Sequence, residues 1–249
     1  MTKRLSFIIL SIFLLCALIP AHGIAVQDRI VAEARARADV SKDLETPWQP
    51  ESLVARNCLD GRPVADFPGD VVEYWVNLEC CYCGIVEPML AQRRNADVCI
   101  VARHIPTREY SESMKKSLSY EALKKFSVNA ANIFWDKVVP KTPQEMPLPY
   151  EASLLLAFQE AAIDPEAFGD ALGNEAASII NQDILAALGS ISMPPTWVLA
   201  GIRFPACDFT AAQFPVAVEL AKKARDGDAD ALERIIAMIA KALMDESPL

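Results

Sequence analysis

The spacing of apolar and polar positions changes several times along the chain, and each change marks an element. Val71 to Val76, VVEYWV, is an apolar, aromatic and β-branched run that predicts a buried central strand. Asn57 to Pro68 predicts a short first strand around an Asp60-Gly61 turn, and Val98 to Ala102 a third strand buried on both faces. From Thr107 to roughly Ile184 the period is helical. Tyr120, Leu123, Phe126, Ala130, Ile133, Phe134 and Val138 predict one helix over Ser119 to Val139, broken by the proline-rich stretch Pro140 to Pro149. Tyr150 to Ala162 predicts a second helix and Asn174 to Leu188 a fourth. Between them Asp164-Pro165-Glu166 opens a third, with Asp as cap and Pro in the first turn. Phe126, Phe134, Trp135 and Phe158 are expected in the core. Strand character returns at Ser190 to Gly201 and at Ile202 to Phe209, where Pro205 suits an edge or a strand end. Thr210 to Lys223 and Ala229 to Met244 predict terminal helices. Ile235, Ile236, Ile239 and Leu243 give the last one a face to cover the sheet. The class is α/β, with a helical block between two halves of a sheet.

The beginning of the chain has a different pattern. Lys3 and Arg4 precede an apolar run, Leu5 to Pro20, and Ala21-His22-Gly23 offers small residues for cleavage, so residues 1–23 are expected to be a secretory signal. An uncleaved N-terminal membrane anchor is the alternative. Cys16 follows Leu14-Leu15 rather than a small residue, which argues against a lipoprotein site. Residues 26–45 are rich in Ala, Glu and Arg, with a thin stripe at Ile30, Ala34 and Ala38. They predict a solvated helix or loose leader, or alternatively an oligomerisation helix; the oligomeric state stays open. Pro47 and Pro50 predict a linker. The expected division is 1–23 signal, 24–56 leader and linker, and 57–249 one domain with its helical insertion at about 107–188.

The formal charge of −9 becomes −11 once the two basic residues of the signal are removed. An acidic chain is a poor partner for nucleic acid or an anionic membrane surface. Six of the seven cysteines lie beyond the signal, which in an exported chain points to an oxidising compartment.

Two of those cysteines carry the candidate chemistry. Cys80 and Cys83 stand in C-x-x-C spacing where the central strand runs into Gly84-Ile85-Val86, a setting for thiol–disulfide chemistry. A thiol at a helix start meets unpaired N–H groups and the positive end of the dipole, which favour the nucleophilic thiolate. A second thiol one turn on can resolve the mixed disulfide. Zinc would need two further ligands, but His104 is the only histidine beyond the signal and no second C-x-x-C exists. Cys80, Cys81 and Cys83 together offer thiolates to Cu(I), so a copper-binding protein is the alternative function. Cys99 is expected to be a small buried hydrophobe, and His104 a surface or packing residue. Cys58 and Cys207 both flank the sheet outside the candidate site, and their pairing is an open guess.

Cys80-Cys81-Tyr82-Cys83, preceded by VVEYWVNLE and followed by Glu87-Pro88-Met89-Leu90, resembles the active-site segment of DsbA-like proteins of the thioredoxin superfamily. The run from Ile163-Asp164-Pro165-Glu166-Ala167-Phe168 to Trp197-Val198-Leu199-Ala200-Gly201 resembles that family's passage from a helical insert into its cis-proline strand. The resemblance implies a thioredoxin-like fold with a helical insertion between the third strand and the cis-proline strand. It implies an exported, periplasmic thiol–disulfide oxidoreductase acting on proteins with cysteines; oxidase, isomerase and reductase remain alternatives. No cofactor is needed, because the dithiol carries the two electrons, and a membrane redox partner recycles it. Cys80 would attack and Cys83 resolve. Pro195 would be the cis-proline, with Pro194 the runner-up, and Pro194 and Tyr82 would face substrate. Glu73 would serve in proton transfer as a buried carboxylate beneath the cysteines, although it stands seven residues before Cys80 where the family has six, so an inserted residue or a bulge is required. Cys81 stands where the family commonly has proline, as a third reactive thiol or a bystander. Tyr82 stands where the most oxidising members have histidine.

Overall fold

The computed structural model describes residues 27–46, 53–85, 98–107, 112–140, 145–191, 193–205, 207 and 209–245. The expected signal, the Pro47–Pro50 linker, the Glu87-Pro88-Met89-Leu90 continuation and part of the 140–149 stretch lie outside them.

The apolar run becomes strand β1, Asp70–Val76, at the interior of a four-stranded sheet ordered β2-β1-β3-β4. It pairs in parallel with β2, Val98–His104, and antiparallel with β3, Thr196–Leu199, which pairs antiparallel with the edge strand β4, Ile202–Pro205. Pro205, which has no N–H to give, is the last residue of that edge. The expected first strand does not form a ladder. Asn57 bridges Pro63 alone, and Leu59 donates one backbone bond to Ile100 O at 2.8 Å. The Asp60-Gly61 turn and Pro63 leave too few N–H groups in line for more. Gly61 is needed there: its φ is +89°, and a Cβ would meet Val128 Cγ2 at 2.7 Å.

The helices are α1 (27–45), α2 (Cys81–Ile85), α3 (Ser113–Phe126), α4 (Val128–Val138), α5 (Tyr150–Ala161), α6 (Pro165–Ala171), α7 (Ala177–Ala187), α8 (Gln213–Arg225) and α9 (Ala229–Asp245). Helices α3 to α7 lie between β2 and β3 in the chain. The single helix expected over 119–139 is two. Ser127 is extended, and its hydroxyl caps α4 by accepting from Ala130 N at 3.1 Å. Phe126 consequently ends α3 partly exposed, whereas Phe134 and Trp135 are buried. Asp164 caps α6, with Pro165 at its first position. The third and fourth expected helices are continuous, joined by a π-helical turn, Leu172–Ala176.

Helix α1 is docked, and by a different face from the one its hydropathy suggested. Ala36, Val40 and Asp43 are buried, while Ile30 is 62 % exposed. Asp43 accepts from Arg203 N at 2.8 Å and Nε at 2.6 Å, and Arg37 reaches Glu233 of α9 at 2.8 Å. Arg225 donates to the carbonyls of Asp43 and Thr46. Ala36 and Val40 seat this helix in the main core beside the Asp43–Arg203 anchor, two positions along from the expected Ala34 and Ala38.

Alternation along the strands sorts the core into two sides. Val72, Tyr74 and Val76 join Trp197, Leu199, Phe204, Phe214, Ile235 and Ile239 in the main cluster. Trp75 and Val198 pack on the other side against Ala187. That second side holds a buried charge network. Asp183 of α7 accepts from Arg56 at 3.0 Å, from Arg103 and from His104 N at 2.9 Å, and Arg103 also reaches Glu73 at 2.8 Å. The Arg103 guanidinium lies 4.4 Å from the Trp75 ring centroid. His104 is fully buried, its Nε2 at 3.0 Å from Glu121 Oε1.

Candidate functional site

The site forms where β1 ends. Asn77 follows the strand, Cys80 N donates to Asn77 O at 3.1 Å, and Cys83 N donates to Cys80 O at 3.0 Å, so a tight turn feeds the chain into α2. Cys80 sits immediately before the first helical residue. It retains 5 % exposure, Cys81 is partly exposed, Tyr82 is 55 % exposed and Cys83 is sealed. All three cysteines are in the thiol form.

The Pro194–Pro195 peptide bond is cis, and Cys80 Sγ lies 3.9 Å from Pro194 O. Thr196, buried, turns its hydroxyl back to Met193 O at 2.5 Å and closes the loop that leads into β3. The strand register places Thr196 opposite Trp75 of β1, so the proline loop meets the cysteine turn at the same end of the sheet.

Cys83 lies against the sheet. Asn77 N donates to its sulfur at 3.5 Å, and the Tyr74 hydroxyl donates to its carbonyl at 3.0 Å. Burial pushes the Cys83 thiol well above the usual range, and a hydrogen bond to Cys80 and the charge Cys80 can carry push the same way; the Asn77 N–H opposes them. Cys83 therefore holds its proton. Two neighbouring thiols can pass between dithiol and disulfide with the exchange of two electrons.

Glu73 is not beneath the cysteines. Tyr74 points to the Cys83 side, and its neighbour Glu73 therefore points through the opposite face, where it pairs with Arg103. No bulge intervenes; β1 pairs in continuous register with β2 from Asp70 to Val76. Tyr74 occupies the place six before Cys80 and faces the Cys83 side.

The remaining cysteines also differ from expectation. Cys58 is bonded to Cys99, not to Cys207, which is a buried thiol. Cys99 is thus half of a disulfide and not a passive apolar residue. Cys58 lies one residue before Leu59, whose bond to Ile100 O aligns that segment with β2.

Sequence reasoning missed the polar residues around the turn. Asn77 Oδ1 accepts from Ser113 Oγ at 2.8 Å and Glu79 N at 2.9 Å. Glu79 in turn accepts from Glu112 N at 3.0 Å and Lys116 Nζ at 3.3 Å. An asparagine closing an apolar strand was the available signal; the side chains that hold it come from a distant helix. Among the described residues, no group of three His, Cys, Asp or Glu side chains is placed to hold a metal ion. Among the same residues, no helix is long and apolar enough to cross a membrane.

No family model and no curated protein matches the sequence. Solved structures do match in shape. Proteus mirabilis ScsC in a transitional conformation is 15 % identical, with 90 % of this chain and 100 % of that one covered, at a TM-score of 0.53. The thiol-disulfide exchange protein alpha-DsbA2 from Wolbachia pipientis is 13 % identical, with 75 % and 96 % covered, at a TM-score of 0.52. The chain shares the fold of these two structures.

Proposed function

We propose that this protein is an exported thiol–disulfide oxidoreductase that makes, breaks or rearranges disulfides in other proteins. The observation that carries this reading is the unequal pair of thiols beside a cis-proline loop: Cys80, which keeps 5 % exposure, against Pro194 O, and Cys83 sealed and proton-holding. Cys80 is the attacking sulfur and Cys83 the resolving one. Pro195 shapes the loop, and Pro194 and Tyr82 face the substrate. The description of the Wolbachia protein as a thiol-disulfide exchange protein supports this chemistry on this fold. The leader pattern of residues 1–23 supports export to the periplasm, and a membrane redox partner would return the pair to its working state.

The deciding experiment is equilibration of the chain lacking residues 1–23 against glutathione, with thiols trapped and mapped by mass. A reversible Cys80–Cys83 disulfide is expected. Tyr82 cannot stabilise a thiolate by charge, so the potential should fall below the value of about −120 mV typical of the strongest oxidants. Absence of that disulfide, or Cys81 in place of either partner, rejects the assignment.

A further inference from the structure

Asn77 is fully buried, and each of its polar groups has a partner. Its N–H donates to Cys83 Sγ at 3.5 Å and its C=O accepts from Cys80 N at 3.1 Å. Its Oδ1 accepts from Ser113 and from Glu79 N, and its Nδ2 donates to Thr107 Oγ1 at 3.3 Å. A buried amide satisfied on all sides is fixed in place. Ser113, itself fully buried, opens α3, and the same helix end holds Glu79 through Glu112 N–H and Lys116. The helical insertion thereby grips the turn that carries the cysteines.

We infer that Asn77 is a positioning residue for the resolving thiol: Ser113 locks its carboxamide so that its backbone N–H stays aimed at the Cys83 sulfur. The inference rests on the thiol exchange proposed above. In the resolving step Cys83 gives up its proton and its sulfur attacks Cys80 Sγ. The bond between Cys80 and the substrate sulfur breaks, and the substrate leaves as a thiolate that takes up a proton. The Cys80–Cys83 pair loses two electrons and the substrate gains them. Negative charge thus forms on the Cys83 sulfur in a place where burial opposes it, and the Asn77 N–H meets that charge. The first attack, by Cys80, makes no use of that contact. Loss of the contact should therefore separate the two steps.

The test mixes reduced protein with oxidised glutathione, quenches with acid, and follows the Cys80–glutathione and Cys80–Cys83 disulfides by mass. Asn77→Ala and Ser113→Ala should slow resolution about three- to tenfold while the first attack stays within about twofold, the size of one lost hydrogen bond. Unchanged resolution in both variants, or equal slowing of both steps, overturns the inference. If Asn77→Ala does not fold, Ser113→Ala reads the same step. A second measurement needs no exchange activity: hydrogen exchange of the Asn77 amide in the reduced protein should quicken in Ser113→Ala, and equal rates overturn the inference. A wild-type protein that forms no mixed disulfide with glutathione would reject the thiol-exchange reading, while the amide measurement would still decide whether Ser113 holds Asn77.

Discussion

The phenol of Tyr74 donates a hydrogen bond to the carbonyl of Cys83 at 3.0 Å, and its ring lies 4.5 Å from that of Trp197, centroid to centroid. One side chain thus ties the central strand to the cysteine turn and to the strand that follows the cis-proline. The two ties can be separated. Tyr74→Phe keeps the ring and loses the hydroxyl, so it should cost about 1–1.5 kcal/mol, a buried hydrogen bond. Tyr74→Ala also empties the ring's volume and should cost about 3–5 kcal/mol. Urea unfolding measures both, as a shift of midpoint at constant slope. A Tyr74→Phe midpoint equal to wild type would show that the hydroxyl contributes nothing.

Cys58 and Cys99 close a loop with a sequence separation of 41. Chain-entropy reasoning puts the stabilisation at about 4 kcal/mol for a loop of that length. The double variant Cys58→Ser/Cys99→Ser should lose stability on that scale, and Cys207→Ser should leave the disulfide map unchanged. Peptide mapping without reductant checks the pairing directly; a Cys58–Cys207 peptide would contradict it.

Glu121 is expected to shape the acid limb of stability. Burial would push its carboxyl up, but Lys124, His104 and Arg56 together outweigh burial and hold it far below the usual carboxylate range. The folded chain therefore binds this proton less readily than the unfolded chain. The contribution is present in full above the unfolded value of about 4.3 and is lost as pH falls below it. Glu121→Gln should cost about 3–5 kcal/mol at neutral pH, because it leaves buried positive charge uncompensated. The gap to wild type should then narrow as pH falls below about 4.3. Parallel curves of unfolding midpoint against pH would exclude this role.

Local patterns were legible; relations between distant residues were not. The strand at Val71 to Val76, the cysteine turn after it and the proline loop before Thr196 each show in a few consecutive residues, because burial and turn chemistry act locally there. The face of Glu73 did not show. A strand residue's direction depends on phase, and the phase of β1 turns Tyr74, six before Cys80, to the Cys83 side and Glu73 away from it. Cys99 looked apolar in an apolar run, and only the approach of Leu59 to Ile100 shows why Cys58 is its partner. That His104 packs inside and does not lie at the surface did not show, because its partner Glu121, 17 positions on, is supplied by a helix whose placement the sequence does not state. The inner face of α1 is likewise defined by distant residues, the main core that receives Ala36 and Val40 and the Arg203 that pairs with Asp43.

An extended substrate docking beside Cys80 would meet Pro194. The Pro194 carbonyl lies at the Cys80 sulfur, but a proline has no N–H to pair with a substrate strand. Docking there loses one of the two backbone bonds the position could otherwise make. Pro194→Thr restores the donor and leaves Pro195 in place. The affinity for a cysteine-containing peptide, measured by calorimetry on the Cys80→Ser variant so that no exchange occurs, should rise about two- to tenfold, as one hydrogen bond allows. The gain should shrink when the facing peptide amide is replaced by an ester, whose weaker carbonyl acceptor lowers the value of the new bond but leaves the side chains alone. Equal affinities with and without the Pro194→Thr change would mean that the substrate does not pair with this loop as a strand, and the docking assigned to Pro194 would fall.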